Sequence, residues 1–159
     1  MQALMMDQPL LVSSLLTHAA RHHGDVEIVS RRVEGDVHRY TYKDCERRSR
    51  KLADALTRLG LGHGARLATL AWNGYRHLEL YFAVGGSGAV IHTVNPRLHL
   101  DHLAWIINHA EDQLLAFDLT CLPLVEALAP RCPTVKAFIA LCARDRLPPT
   151  KAGLTLLCY

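Results

Sequence analysis

The glycine-rich segment Gly85-Gly86-Ser87-Gly88 is the first candidate for chemistry in this sequence. Such a segment cradles a phosphate when it runs from a strand into a helix, because the amino terminus of the helix then faces the anion. The apolar pattern here predicts the opposite order, with a helix before the glycines and a strand after them. The same order argues against a hydrolase nucleophile elbow at Ser87, although Gly-x-Ser-x-Ala is a near match. We therefore predict that these glycines end a helix.

Acids and a histidine at close spacing are the second candidate. His77 and Glu79 share a predicted helix, but residues two apart do not face each other, so they are not expected to form a catalytic dyad. Glu111 and Asp112 are adjacent acids at a helix-to-strand corner, which favours a solvated pair over acid or metal chemistry. We predict no catalytic residue among these four.

Histidines and cysteines could bind a metal ion, and His99, His102 and His109 recur on one predicted helix. A zinc site needs about four converging ligands, however, and no paired Cys or Cys-His spacing supplies them. The five cysteines are Cys45, Cys121, Cys132, Cys142 and Cys158. Their odd number and irregular spacing predict reduced, mostly buried thiols. The sequence thus predicts no metal-binding and no cofactor-binding residue.

Asn95-Pro96-Arg97 leaves two interpretations open. The segment follows a predicted parallel strand, and open α/β sheets bind their ligands at that end of the strands. Pro96 fixes its own φ and holds Asn95 extended, which makes a rigid exit from the strand. Asn95 could then hydrogen-bond to a neighbouring loop while Arg97 meets a carboxylate or phosphate. The alternative is a structural corner with a surface arginine.

Composition excludes several classes of protein. The chain has 159 residues, of which 50% are hydrophobic and 21% charged, with a formal net charge of +3. These values predict one globular domain, and the interleaved charges argue against nucleic-acid binding. Asp7 precedes the first short apolar run, no positive flank of a secretory signal is present, and no apolar stretch reaches the roughly 20 residues of a membrane span. We expect a cytoplasmic protein.

The amino-terminal third is predicted to form a helix, a hairpin and a second helix. Ser13 or Ser14 caps a helix to about His22, and residues 27–32 and 37–40 form the hairpin with polar positions outward. Thr41 and Asp44 form a capping box for the second helix. The buried stripe predicted for this helix comprises Cys45, Ser49, Leu52, Leu56 and Leu59.

Strands and helices then alternate. The predicted strands are 67–72, 89–94, 113–117 and 135–141, and the predicted helices are 73–84, capped by Asn73, 100–110 and 120–129. Strands that are apolar along their whole length indicate a parallel sheet covered on both faces. The predicted fold class is therefore α/β, an open, mostly parallel sheet with helices on both faces, preceded by a helix and a β-hairpin. We assign 1–142 to this subdomain, 143–153 to a linker and 154–159 to the start of a truncated element.

Several segments resemble the AMP-forming acyl-CoA synthetases, most closely their medium- and long-chain fatty-acid members. The matching segments are Arg39-Tyr40-Thr41-Tyr42, Leu59-Gly60-Leu61-Gly62, Trp72-Asn73-Gly74-Tyr75-Arg76-His77-Leu78-Glu79, His92-Thr93-Val94-Asn95-Pro96-Arg97-Leu98 and Ile107-Asn108-His109-Ala110-Glu111-Asp112. The resemblance runs from about residue 10 to Tyr159. It implies an incomplete amino-terminal subdomain of the adenylate-forming fold. Departures from the family pattern are Gly86 at a Pro-Gly corner and His99 where a Ser or Thr cap is usual.

The resemblance implies a ligase that uses ATP and magnesium to convert a fatty acid to an acyl-adenylate, then transfers the acyl group to coenzyme A with release of AMP. The family's phosphate loop, adenine motif, magnesium-binding glutamate and lid lysine are not among these 159 residues. We therefore expect the amino-terminal portion of such a ligase, inactive alone and binding no cofactor itself. The alternative is a non-catalytic binding or assembly module that pairs with another chain or with itself.

Overall fold

The computed structural model describes residues 6–150 and 154–159. Residues 1–5 of the predicted subdomain 1–142 and residues 151–153 of the predicted linker 143–153 lie outside the described residues. The helices are α1 (Val12–His22), α2 (Tyr42–Arg58), α3 (Tyr75–Gly86), α4 (Leu100–His109) and α5 (Leu122–Leu128). The strands are β1 (Glu27–Arg31), β2 (Val37–Thr41), β3 (Arg66–Leu70), β4 (Val90–Thr93), β5 (Leu114–Phe117), β6 (Ala137–Ala140) and β7 (Leu156–Cys158). Short 3₁₀ turns lie at 119–121, 129–131 and 144–146.

A five-stranded parallel sheet forms the centre of the molecule, in the order β4-β3-β5-β6-β7. Strands β1 and β2 form a separate antiparallel hairpin. The predicted α/β class, the parallel sheet and the hairpin are confirmed. β7 pairs with β6, so the apolar segment at 154–159 supplies the fifth strand of the sheet.

Helices cover both faces of the sheet, as the fully apolar strands predict. On one face, Leu67 and Ala116 pack with Leu56 of α2 and Leu80 of α3. On the other face, residues of β3, β5 and β6 pack with helices α4 and α5. Alternate residues of each strand therefore enter two separate apolar clusters, which fixes the register of the sheet.

Helix α2 follows the sequence prediction closely. Thr41 and Asp44 form the predicted capping box, and Cys45, Ser49 and Leu56 are buried. Leu59 is 42% exposed, because it lies beyond the last residue of the helix, and its predicted burial is wrong. On α4, Leu103, Ala104 and Ile107 are buried.

Two predicted helix caps are wrong. The N-cap of α1 is Leu11, and the Ser14 hydroxyl donates instead to the Leu11 carbonyl at 2.6 Å. Gly74, not Asn73, is the N-cap of α3. The prediction of polar outward positions on the hairpin is also wrong in part, since Val29 is exposed and Ser30 is buried.

The five cysteines are free, and all but the half-buried Cys158 are buried, as predicted. Among residues 6–150 and 154–159, no helix is long and apolar enough to cross a membrane.

Candidate functional site

Polar side chains collect at the carboxyl ends of the parallel strands, where open α/β sheets bind ligands. Asp118 directly follows β5, Arg76 lies in the first turn of the helix that follows β3, and Glu34 lies in the hairpin turn. Asp118 and Arg76 are 5% and 7% exposed. We call Glu34, Arg76, Asp118 and Trp72 the carboxyl-edge network.

Arg76 of α3 contacts the hairpin turn and the loop after β6. Its Nη1 lies 2.8 Å from Glu34 Oε1 and donates to the Leu141 carbonyl at 2.8 Å. Its guanidinium also lies 5.0 Å from the centre of the Tyr75 ring. Burial by itself would raise the pKa of Glu34, but hydrogen bonds from its own amide and from Arg76 hold that pKa below its ordinary value. The lowered pKa favours the carboxylate form of Glu34, and Arg76 is already engaged by protein groups.

Asp118 joins the loops that follow two neighbouring strands. Its Oδ2 accepts a hydrogen bond from the Trp72 amide at 2.7 Å. The Trp72 indole donates to the Thr120 hydroxyl at 3.1 Å, which adds a second bond between the same loops. Burial raises the pKa of Asp118, and the bond from Trp72 opposes the rise. The carboxyl group is thus held in place by backbone rather than by a cation.

A cavity of about 190 Å³ opens beside the network. It is lined by Val33, Glu34, Asp118, Leu119, Leu141 and Arg146. Glu34 Oε2 is buried without a hydrogen-bond partner among the described residues, whereas Oε1 is bonded to Arg76. The polar groups at this edge mostly bond to one another, which suits the positioning of loops better than acid, base or phosphate chemistry.

The Asn95-Pro96-Arg97 segment forms an exposed corner after β4, at the edge of the sheet. The side-chain oxygen of Asn95 accepts from the Arg97 amide at 3.0 Å. The observed bond of Asn95 is therefore local, which favours the structural-corner interpretation over a bond to a neighbouring loop.

The glycine segment ends α3, as predicted. The helix continues through Gly86, the Ser87 hydroxyl donates to the Ala83 carbonyl at 2.7 Å, and Gly88 has a φ of 73°. The positive φ of Gly88 favours glycine, and a β-carbon there would lie 2.7 Å from the exposed His63 ring, which would have to move. The segment presents the carboxyl end of a helix, which repels rather than attracts phosphate.

His77 and Glu79, which share α3, have separate hydrogen-bond partners. His77 Nε2 and the Thr69 hydroxyl are 3.1 Å apart inside the protein. Burial lowers the pKa of His77, against a smaller opposing effect of the Trp72 carbonyl. Glu79, which is fully buried, accepts from Arg48 Nε at 2.8 Å.

The expectation that Glu111 and Asp112 form a solvated pair is wrong for Asp112. That side chain is fully buried, and its Oδ2 lies 2.7 Å from His92 Nδ1. Burial raises the pKa of Asp112, and the contact with His92 opposes the rise. Glu111 remains exposed and lies 3.3 Å from Arg66. One of these two adjacent acids is therefore buried and the other exposed, which the sequence alone did not reveal.

The histidines of α4 serve local roles. His99 is the N-cap, and its Nδ1 accepts from the Asp101 amide at 3.3 Å, so it replaces the usual Ser or Thr. His109 stacks on Trp105 with ring centres 4.6 Å apart. Within the described part of the chain, no three His, Cys, Asp or Glu side chains are placed to hold one metal ion.

Sequence reasoning missed Glu34, Arg76 and Asp118 as members of a site. Asp118 had a usable signal, because a polar residue directly after an apolar parallel strand lies at the ligand-binding edge. Arg76 and Glu34 had none, since their partners are distant in sequence.

Comparisons with known proteins show which family and which enzymes this chain is similar to. The AMP-binding enzyme family matches residues 16–152. The 3-methylmercaptopropionyl-CoA ligase of Ruegeria lacuscaerulensis is 50% identical over 141 residues, which are 89% of this chain and 26% of the relative. The long-chain-fatty-acid–CoA ligase of Thermus thermophilus is 50% identical over 86% of this chain and 25% of its own length.

A solved structure described as a long-chain-fatty-acid CoA ligase of Rhodopseudomonas palustris superposes with a TM-score of 0.74. It is 26% identical, and the match covers 89% of this chain and 34% of that one. The chain therefore spans about a quarter to a third of the length of the proteins it matches.

Proposed function

Because the chain belongs to the AMP-binding enzyme family, we propose that it forms the amino-terminal part of a fatty-acid–CoA ligase. The observation that carries the proposal is the close match to CoA ligases over most of this chain. The full-length reaction would convert ATP, a fatty acid and coenzyme A to acyl-CoA, AMP and diphosphate. One relative is named for 3-methylmercaptopropionyl-CoA and another for long-chain fatty acids. The proposal therefore names the class of acid that is activated and does not specify the length of its acyl chain.

The residues that the structure describes do not fit an ATP–magnesium site. The glycine segment follows a helix, and Arg76 is bonded to Glu34 and Leu141. ATP, magnesium and coenzyme A, which we expect the full-length ligase to use, would therefore be held by residues outside those described here. The role we assign to this chain is structural support for the site, through the carboxyl-edge network that holds the loops after β3, β5 and β6.

We further propose that residues 1–142 form the first α/β subdomain of the ligase. Residues 143–153 would connect it to the element that begins at 154. Pairing of β7 with β6 supports the connecting role of 143–153, because the chain returns to the same sheet after them, and the element that begins at 154 would then extend the subdomain.

A chimeric ligase tests the proposal. The matched segment of the Thermus ligase, which is 50% identical, is replaced by the corresponding residues of this chain. AMP release with palmitate, ATP, magnesium and coenzyme A is then measured. We expect the chimera to turn over, since the sheet and its loops are built from matching residues, and we expect no turnover from the 159-residue chain alone.

The control is the Thermus ligase from which the matched segment has been removed and not replaced. This control should be inactive. A chimera that folds, by circular dichroism and cooperative melting, yet shows no activity would contradict the proposal. Turnover by the 159-residue chain alone would contradict our assignment of a supporting role.

A second candidate function is an assembly module that forms a homodimer. It is favoured by the exposed apolar side chains at the start of α1, which are Met6, Leu10, Leu11, Val12 and Leu15, with exposed fractions of 55–87%. Exposed aliphatic clusters of this kind are typical of interaction sites. The dimer hypothesis predicts twice the monomer mass in light scattering and a return to monomer in Leu15→Glu. A monomer at all concentrations would exclude it.

A further inference from the structure

Two imidazoles lie side by side on the exposed face of α1. His18 and His22 are four residues apart, and their ring centres are separated by 4.6 Å. Residues at this spacing are neighbours on a helix surface. Both side chains are exposed, so neither is committed to the core. His23, the C-cap of the helix, places a third ring 6.0 Å from that of His18.

The surroundings favour a cation. Both histidines lie toward the carboxyl end of α1, where the helix dipole carries partial negative charge. Two histidines one turn apart on a helix can bind the same metal ion, which is the geometry that helical His-x-x-x-His metal sites use. Imidazole nitrogen suits zinc, nickel and copper, whereas magnesium and calcium prefer oxygen.

We propose that His18 and His22 form a two-ligand chelate for a divalent transition-metal ion, with water completing the coordination. The positive charge of exposed Arg21 and the small number of protein ligands limit the affinity, so the site is exchangeable rather than structural. It is independent of the proposed ligase activity, which would use magnesium.

Metal binding at this pair stabilises the junction between α1 and α2. The His23 amide donates to the Ala19 carbonyl at 2.8 Å and closes the last turn of α1. The next residue, Gly24, is buried, and its carbonyl accepts from the Lys43 amide at the start of α2 at 3.2 Å. A metal ion that bridges His18 and His22 fixes the turn from which this connection leaves.

Titration of the 159-residue chain with nickel chloride, under reducing conditions, tests the site. Calorimetry should give one saturable site per chain, and the Tm should rise by about 3–8 °C at saturating nickel. His18→Ala and His22→Ala should each weaken binding at least tenfold. The matched control is His102→Ala, another exposed histidine on a helix surface, which should keep the full affinity. Magnesium chloride should not shift the Tm.

The proposal is overturned if the wild-type chain shows no saturable nickel binding, if both alanine variants of α1 bind as tightly as wild type, or if His102→Ala loses the same affinity. Melting in the presence of a chelator shows that the variants are folded, since the two side chains are exposed. Paramagnetic broadening by copper gives a second readout, because the imidazole signals of His18 and His22, together with that of the adjacent His23, should broaden before those of the other histidines.

Discussion

Glu79 of α3 is fully buried and depends on side chains from distant parts of the chain. Arg48 donates Nε to one carboxylate oxygen at 2.8 Å, and the Tyr159 hydroxyl donates to the other. The Arg48 guanidinium also lies over the rings of Tyr75 and Tyr159, at 5.6 and 5.8 Å. Loss of the cation would leave a buried charge with too few partners, which costs more stability than loss of the whole pair.

We therefore expect Arg48→Met to lower the free energy of unfolding by about 2–4 kcal/mol, somewhat less than for a fully buried pair because of solvent screening. The Arg48 side chain is 39% exposed, and this exposure to solvent is the reason for the smaller expected loss of stability. Arg50→Met on the same helix is the control, since its side chain is 70% exposed in its pair with Glu46, and a change within about 0.5 kcal/mol is expected. Urea unfolding measures both, and equal losses would contradict the role of Glu79.

The second prediction at the scale of single residues concerns pH and Asp118. Burial raises its native pKa, while the unfolded value is about 3.9. The native state therefore binds the proton of the Asp118 carboxyl group more tightly than the unfolded state does. The stability contributed by this group is therefore full below the unfolded pKa and is lost as pH rises through the native pKa.

Asp118→Asn removes this ionisation but keeps a side-chain oxygen that can accept from the Trp72 amide. We expect the stability of wild type relative to the variant to fall as the pH rises from the unfolded pKa of about 3.9 to neutrality. Urea unfolding of both proteins at matched pH values measures the difference. A difference that stays constant or grows with pH would show that the carboxylate is not penalised by burial.

At the scale of elements, the sequence predicted structure wherever the signal is local. The α2 capping box joins Thr41 to Asp44, three residues away, and was predicted correctly. The start of α3 was not predicted correctly, because the Tyr75 amide donates to the Ser30 hydroxyl, a partner 45 residues away on the hairpin. No pattern within one segment can indicate such a cap.

Two glycines of one segment should respond in opposite ways to alanine. Gly85 lies in α3, and apart from its chain neighbours and the backbone of its own helix no atom of residues 6–150 or 154–159 lies within 4 Å of an added β-carbon, so Gly85→Ala should stabilise by up to about 1 kcal/mol. Gly88→Ala should destabilise by about 1–3 kcal/mol, because φ is 73° and the β-carbon would lie 2.7 Å from the His63 ring. Thermal melts compare the two variants, and a similar response of both would refute the requirement for glycine at position 88.

At the scale of the whole molecule, the sequence predicted the layers but not the candidate site. Apolar strands that alternate with helices are enough to indicate a parallel sheet covered on both faces. The carboxyl-edge network requires the strand order as well. Arg76 and the Leu141 carbonyl are 65 residues apart and meet only because β3, β5 and β6 are adjacent in the sheet. The partners within the network therefore follow from topology, which periodicity does not specify.

The strand order also predicts how the sheet opens. Among the residues that the structure describes, β3 and β5 each have strands on both sides, whereas β4 and β7 each have one. Leu67 and Leu115 on the central strands are fully buried, and Ile91 and Leu157 on the edge strands are partly exposed. Amide hydrogen exchange should therefore be slowest in β3 and β5 and faster in β4 and β7, because edge strands open without breaking the core.

The exchange pattern also bears on assembly, because an uncovered parallel edge can accept another strand. If β4 or β7 exchanged as slowly as β3 in the 159-residue chain, a second copy would have to cover that edge, and protection would then fall on dilution. Slow exchange that is independent of concentration would contradict the expected order of opening. Fast exchange at both edges agrees with the proposed ligase, in which a longer polypeptide can extend the sheet.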